Sequence, residues 1–434
     1  MKRYPVYKKQ FSPVIFLGFF FVSFLILPTL FTYAQTAREL QNRIDQKDSD
    51  IAKLEKEIAA YQIELNNLEK QKNSLSGAIK ELDLTRKKLN ADIAITERKI
   101  DKTNLKIQSL NFDIGSKEDS IENNIDSISL GIRRTNEFEE SNILQTILSE
   151  NNFTVIWNDI DNIITVREKI REKILELKQI KGELEDTKKE TINAKNELTT
   201  LKSRLSDQQK IVVQNTNEKN KLLKQTKNNE ANYQKLLKDR ITQRDAFEKE
   251  LRDYEAQLQF ILDPSKLPKS GVLSWPLEQV YVTQLFGKTV DAKRLYASGT
   301  HNGVDFRASV GTAVMAMSDG TVWGVGNTDL TCVGASFGKF VFIKYNNGLS
   351  STFGHLSLIK VQEGNKIKRG EVVAYSGATG HVTGPHLHVS LYASEAVKMA
   401  SKPSIACGGR IYRLPVAPIN AYLDAMYYLP QYKI

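Results

Sequence analysis

The 434-residue chain contains five histidines, and all of them fall between His301 and His388. Imidazole is both a common zinc ligand and the side chain that titrates nearest neutrality, so this clustering points to a metal site or to proton transfer. His301 and Asp305 are four residues apart, and a helix would stack them on one face. Gly299, Gly303 and Gly311 argue against a helix there, so an extended loop offering one nitrogen and one oxygen ligand fits better. His386, Leu387 and His388 follow Gly384 and Pro385, and strand alternation sends both imidazoles to one face and Leu387 to the other. Either pair alone is weak, since a single His is more often a structural residue than a ligand. Together in one small domain they are a strong signal.

Such residues need a rigid scaffold, and the hydrophobic pattern supplies one from about Val272 onward, where the period changes to alternation. Strands are expected at Val280 to Phe286, Ala313 to Met317, Thr321 to Val325, Phe340 to Tyr345, Leu349 to Phe353 and Val372 to Tyr375. Asn346, Asn347 and Gly348 suit a hairpin turn between two of them. The segment 263–274, with Pro264, Pro268 and Gly271, reads as a linker.

Upstream the chain is of another kind. No proline lies between Pro28 and Pro264, which excludes an ordinary loop-rich globular domain. Ile51, Ile58, Leu65, Ile79, Ile93, Ile100, Ile107, Ile114, Ile121 and Ile128 recur in sevens, interleaved with Leu54, Tyr61, Leu68, Leu75, Leu82, Leu89 and Leu110. That is a coiled-coil seam. A second half repeats the period from Ile163 to Ile261 with polar interruptions at Thr191, Lys219, Thr226 and Arg240, which predict a weaker stretch. Between the halves the pattern lapses near 136–160, so an intramolecular hairpin over 36–262 is expected, with its tip there. One continuous helix pairing with a second copy is the alternative. The fold class is therefore an all-α coiled-coil hairpin followed by a mainly antiparallel β domain over 275–434.

The formal charge of +10 is unevenly distributed. Residues 36–262 carry 40 basic against 41 acidic side chains, while the excess sits in the first 35 residues and in the C-terminal domain. A balanced centre removes most of the support for nucleic-acid binding. Lys2, Arg3, Lys8 and Lys9 precede an apolar run from Val14 to Leu27 and a small-residue exit ending at Ala34. Residues 1–34 thus read as an export signal, with an uncleaved membrane anchor as the alternative; membrane contact follows only if the leader is retained. Either way the rest of the chain is extracytoplasmic, being secreted, periplasmic or associated with the cell wall. Cys332 and Cys407 are expected to be bridged in that oxidising setting, and neither has a CxxC partner.

The segments THNGVDF, GTAV, GHLS and SGATGHVTGPHLH resemble the signature segments of lysostaphin-type (LytM) zinc metallopeptidases, and LSWPLEQVYVTQLFG is similar to their opening strand. The resemblance spans Trp275 to Tyr392. It implies that His301, Asp305 and His388 hold one Zn2+ and that His355 and His386 are catalytic at the open coordination position. Three protein ligands leave the zinc one water, whose pKa falls toward ~7, as peptide hydrolysis requires. His381 lies where the family varies and receives no role, while Val389 and Ser390 replace the family's usual Phe and Glu. That departure puts groove shape or the support of the ligands in doubt. The implied substrate is peptidoglycan, at peptide bonds of its stems or cross-links.

A LytM domain on an exported coiled coil resembles the EnvC-like murein hydrolase activators and PcsB-type hydrolases of cell division. ILQTILSENNFTVIWNDIDNI is similar to their hairpin tip. This likeness implies the transporter FtsEX as a partner of the coil, and a helix that covers the groove until the partner binds. A non-catalytic activator of a separate amidase is the alternative function. The intact ligand set favours the enzyme.

Overall fold

The structure, a computed structural model, describes residues 31–68, 73–140 and 153–431, apart from 259, 262, 264, 266, 291 and 293–298. Most of the expected leader and the centre of the expected tip, residues 1–30 and 141–152, lie outside the described residues. Among the described residues no helix is long and apolar enough to cross a membrane.

Four long helices come first: α1 (Phe31–Leu68), α2 (Leu75–Glu140), α3 (Phe153–Thr226) and α4 (Glu230–Gln257). The chain divides into two units, one of residues up to 50 with 99–199, the other of 51–98 with 200–434. In the first, Lys106 pairs with Glu190 and Glu118 with Lys188, each at 2.8 Å, and Gly131 lies against Ile170. Positions rising along α2 thus meet positions falling along α3, the arrangement of an antiparallel pair. Lys47 and Asp101 join α1 to α2 in the same unit at 2.9 Å.

The ascending half of the helical region is two helices, where the sequence predicted one arm. A gap in its apolar row, at Lys72 between Leu65 and Ile79, coincides with the change of helix, although a like gap at Arg86 lies within α2. Ser74 then starts α2, its Oγ accepting the Gly77 N–H at 3.1 Å. The descending half is also interrupted, at the predicted weak point of Thr226. Lys227 and Asn228 both adopt φ 52°, and the Asn229 side chain caps α4 by accepting the Asn232 N–H.

The strands that follow, among the described residues, are β1 (Val282–Gln284), β2 (Val304–Arg307), β3 (Ala313–Met315), β4 (Gly320–Asn327), β5 (Lys339–Tyr345), β6 (Leu349–Gly354), β7 (Leu356–Ile359), β8 (Lys366–Ile367), β9 (Val372–Ser376), β10 (His386–Ala393), β11 (Lys398–Pro403), β12 (Ile411–Val416) and β13 (Tyr422–Leu423). The main sheet runs β1-β2-β10-β6-β5-β4-β8, with β13 on β10. β3-β9-β7 form a smaller sheet, and β11-β12 a ribbon. All the pairings are antiparallel. Val341, Ile343, Phe353, Leu387 and Val389 from the main sheet meet Val314, Leu356 and Val373 from the smaller one in a single apolar core. The expected strands are all present, β1 and β3 shorter than expected and β4, β5, β6 and β9 longer. Strands β2, β7, β8, β11, β12 and β13 were not foreseen, because runs of two to four residues and proline-bearing runs are hard to distinguish from loops.

Cys332 and Cys407 are joined by a disulfide with Cα atoms 5.6 Å apart. It sits in a second apolar cluster with Phe337, Phe340, Tyr412 and Leu414. Phe247 and Leu251 of α4 belong to the same cluster, Phe247 meeting Tyr412 edge-on at 5.4 Å.

Candidate active site

The register of two central strands makes the site. On β10, His388 stands opposite Asp305 of β2, and Leu387 opposite Phe306. Leu387 and Phe306 are fully buried in the core, so the polar pair faces the other side of the sheet, as alternation requires. His301 joins them through an antiparallel bridge to Gly287. Asp305 therefore projects from a strand, where the sequence suggested a loop; the glycines correctly excluded a helix.

His301 Nε2, Asp305 Oδ1 and His388 Nδ1 converge. Asp305 Oδ1 lies 2.8 Å from His388 Nδ1 and 3.2 Å from His301 Nε2, and the two nitrogens are 3.1 Å apart. All three side chains are buried. A tetrahedral ion with ligand bonds of about 2.0–2.1 Å would place its ligands about 3.3 Å apart, so the trio fits zinc with little movement. The remaining ring nitrogens support this choice of ligand atoms. His301 Nδ1 donates to the Leu285 carbonyl at 3.0 Å, and His388 Nε2 faces Ser390 Oγ at 2.8 Å. With an ion bound, these partners would let Nε2 of His301 and Nδ1 of His388 turn their lone pairs to it; without one, both nitrogens are within hydrogen-bond reach of Asp305.

His355 and His386 complete the cluster, with ring centroids 4.7 Å apart, and His355 is 5.6 Å from the His388 ring. His386 Nε2 approaches Asp305 Oδ1 at 3.6 Å, and its Nδ1 donates to the Gly384 carbonyl at 2.9 Å. His355 Nδ1 donates to the Thr379 carbonyl at 2.8 Å, while its backbone N–H donates to Phe337 O at 2.7 Å. Its φ of 62° is the left-handed region, a conformation that costs a non-glycine residue ~1–3 kcal/mol and is held by those two bonds.

Burial strongly favours the neutral form of His355, assisted by the neighbouring imidazoles, and holds its pKa well below the usual histidine range. His388 is lowered too, chiefly by burial and against the Asp305 carboxylate. For Asp305 burial pushes upward, but hydrogen bonds from His301 and His388 outweigh it and keep the carboxyl well below its ordinary value. A carboxylate beside neutral imidazoles is the protonation state a divalent cation requires.

Three contributors escaped sequence reasoning. Gly303 was weighed only as a helix breaker, yet a Cβ there would lie 2.5 Å from His388 Cε1 and 2.6 Å from its Nε2. Ser390 reads in the sequence only as a departure from the family, yet its hydroxyl stands against His388 Nε2. His381, left without a role, lines the same cavity as His355 and His388 and lies 3.5 Å from Glu248 of α4. Nothing in a single sequence marks that last contact, because it joins residues 133 positions apart.

Helix α4 forms the roof. Phe247, Leu251 and Glu255, spaced by four, are its buried residues on the domain side. Glu250 accepts from Ser404 Oγ at 2.9 Å and from the Ala406 N–H at 3.1 Å. Tyr422 Oη donates to Glu255 at 2.7 Å, and Lys402 Nζ sits 3.2 Å over the Tyr254 ring. Beneath this roof is a cavity of about 310 Å3, lined by α4 residues Glu248 and Leu251 and by Phe337, His355, His381 and His388.

A buried His-Asp-His trio with two attendant histidines on an antiparallel sheet is an arrangement suited to a metal-dependent hydrolase. Residues 299–399 match Peptidase family M23. The chain is 35% identical over 121 residues to peptidoglycan DD-endopeptidase ShyA of Vibrio cholerae, a match covering 28% of this chain and 27% of that protein. It is 34% identical over 120 residues to DD-carboxypeptidase/endopeptidase Mpg of Neisseria meningitidis, covering 28% and 26%. With cell division protein DipM of Caulobacter vibrioides it shares 31% identity over 134 residues, 31% of this chain and 20% of the relative. The matched region spans about a quarter of the length of these relatives.

Proposed function

We propose that the protein is an extracytoplasmic zinc metalloendopeptidase that hydrolyses peptide bonds in peptidoglycan stems or cross-links, and that α4 restrains it. The observation carrying this reading is the convergence of His301, Asp305 and His388 beside two further imidazoles. The likeness of this region to ShyA and Mpg, named for peptidoglycan DD-endopeptidase and DD-carboxypeptidase/endopeptidase activity, supports the substrate class.

When bound, zinc supplies Lewis acidity and a water of lowered pKa at its open position. The chain's own residues do the rest. His301, Asp305 and His388 would hold the ion, with Leu285 and Ser390 fixing which ring nitrogens would face it. His355 and His386 have their Nδ1–H groups committed to the Thr379 and Gly384 carbonyls, so each keeps Nε2 for catalysis. Between them they take up the proton of the attacking water, stabilise the developing oxyanion and return a proton to the leaving amine. The two are assigned to these tasks jointly.

Regulation follows from the roof. A peptide cannot fill the groove while Glu248, Leu251 and Arg252 line it and Phe247 anchors α4 in the second apolar cluster, so activity requires α4 to withdraw. We propose FtsEX, engaging the coiled-coil helices, as the partner that withdraws it during cell division; the resemblance to the division-associated hydrolases and to DipM supports this role. The signal-like leader supports export. An activator without catalysis would need neither the buried ligand trio nor two additional imidazoles.

The test is digestion of purified peptidoglycan by the zinc-loaded full chain and by its Phe247→Ser variant, followed by mass spectrometry of the released muropeptides. The expected result is new amino termini, more abundant with Phe247→Ser and abolished by chelation. A zinc-loaded Phe247→Ser protein that cuts no peptide bond would favour the activator.

A further inference from the structure

The roof touches the groove at one point that hydrophobic cover does not explain. Glu248 Oε1 accepts the Ser336 backbone N–H at 2.7 Å, and His381 Nδ1 lies 3.5 Å from the same oxygen. Both groups are fixed by the β domain. The His381 N–H donates to Ser336 O at 2.8 Å, tying the two loops together. Gly338 and Gly380 pack so closely that a Cβ on either would collide with the other loop. Asp329 accepts the N–H groups of Gly334 and Gly380, at 2.7 and 3.1 Å, and so clamps the loops from behind. Ser336 adopts φ 51°, and the next carbonyl, that of Phe337, accepts the backbone N–H of His355. The site that receives Glu248 is therefore rigid and one residue from an anchor of the catalytic machinery.

A backbone N–H and an imidazole converging on one oxygen form a receptor for a carboxylate. Stem peptides of peptidoglycan carry carboxylates, and Glu248 belongs to the element that must leave before such a peptide enters. We propose that Ser336 N–H and His381 form a carboxylate subsite of the substrate groove, which takes a free carboxylate of a stem peptide and which Glu248 occupies in its place while α4 is docked. This rests on the endopeptidase reading for the identity of the ligand. Substrate and helix then compete for one anion site, so carboxylate-bearing substrate weakens docking as much as docking weakens substrate binding. Amidated stems are the poorer ligands.

Calorimetry on the zinc-loaded full chain tests this, with Glu250→Lys in every sample to loosen α4. The probes are alanyl-isoglutamyl-lysyl-alanine with free carboxylates and its fully amidated twin. With Glu248→Ala added, the free-carboxylate peptide is expected to bind about tenfold more tightly than with Glu248 present, and about tenfold more tightly than the amidated twin. Glu248→Gln, which preserves size, shifts affinity in the same direction and guards against misfolding. Adding His381→Ala removes most of the preference. Equal affinity for the two peptides, no binding of either, or a preference indifferent to His381→Ala would overturn the subsite. Cross-linked peptidoglycan is assayed in parallel. Carboxylate preference without cleavage would support the subsite and contradict the endopeptidase reading, whereas cleavage without preference would do the reverse.

Discussion

At the scale of single residues, the account separates holding the metal from moving protons. Replacing His355 by Ala leaves the ligand trio intact, so zinc content should persist while turnover falls by ~10²–10⁴, the usual worth of a positioned acid or base. Loss of zinc in that variant, read by elemental analysis, would assign His355 to the metal instead. Ser390→Ala removes the hydroxyl beside His388 Nε2 and should weaken zinc affinity by ~10–100-fold, with activity recovered at high zinc. An unrecovered loss would mean that Ser390 acts on substrate. Gly303→Ala should be harsher than its size suggests, because the added methyl would displace the His388 ring. The residues that converge at the site were legible in the sequence because few residue types suit zinc and all five histidines crowd one domain. Their supports were not legible, since a hydroxyl, a carbonyl and a missing Cβ acquire their roles only from contact.

At the scale of elements, α4 is the piece whose behaviour pH should control. Glu255 is buried against Tyr422, and burial raises its carboxyl from 4.5 to about 7, in spite of hydrogen bonds from Tyr422 and the Ala417 backbone, with Glu248 pushing further up and Arg252 pulling down. The docked helix therefore holds a proton that the released helix gives up at the ordinary value. This contribution to docking is fully present below about 4.5 and is lost as pH rises through about 7. Its size is on the order of 3 kcal/mol. Hydrogen exchange of residues 230–257 in the full chain should accelerate between pH 5 and pH 8 beyond the intrinsic chemistry, and Glu255→Gln should remove that excess. Exchange equally protected at both pH values in the native protein would refute the linkage. The longer strands without proline were readable from their apolar pattern, whereas β2, β7, β8 and β13, of two to four residues, and the proline-bearing β11 and β12 were not. The break between α1 and α2 was hidden because the gap at Lys72 looks no different from the one at Arg86, which α2 carries without a break.

At the scale of the molecule, the helical region and the metallopeptidase domain share a covalent path through α4, whose Phe247 and Leu251 lie in the domain's second apolar cluster. Two such side chains contribute roughly 3–6 kcal/mol of gross burial, enough to hold the roof closed and little enough for a partner to reverse. The division into a proline-free helical region and a β domain was plain from composition and period. The roof was foreshadowed only by resemblance, because α4 continues the heptad pattern of a coil and nothing in it announces a second partner. All of this depends on the trio being a metal site. The most direct test is elemental analysis of the purified full chain beside its Asp305→Ala variant, with peptidoglycan hydrolysis measured on the same samples. The account predicts close to one zinc per chain in the native protein and the loss of both metal and hydrolysis in the variant. A native protein without stoichiometric metal, or hydrolysis that survives in the metal-free variant, would contradict it.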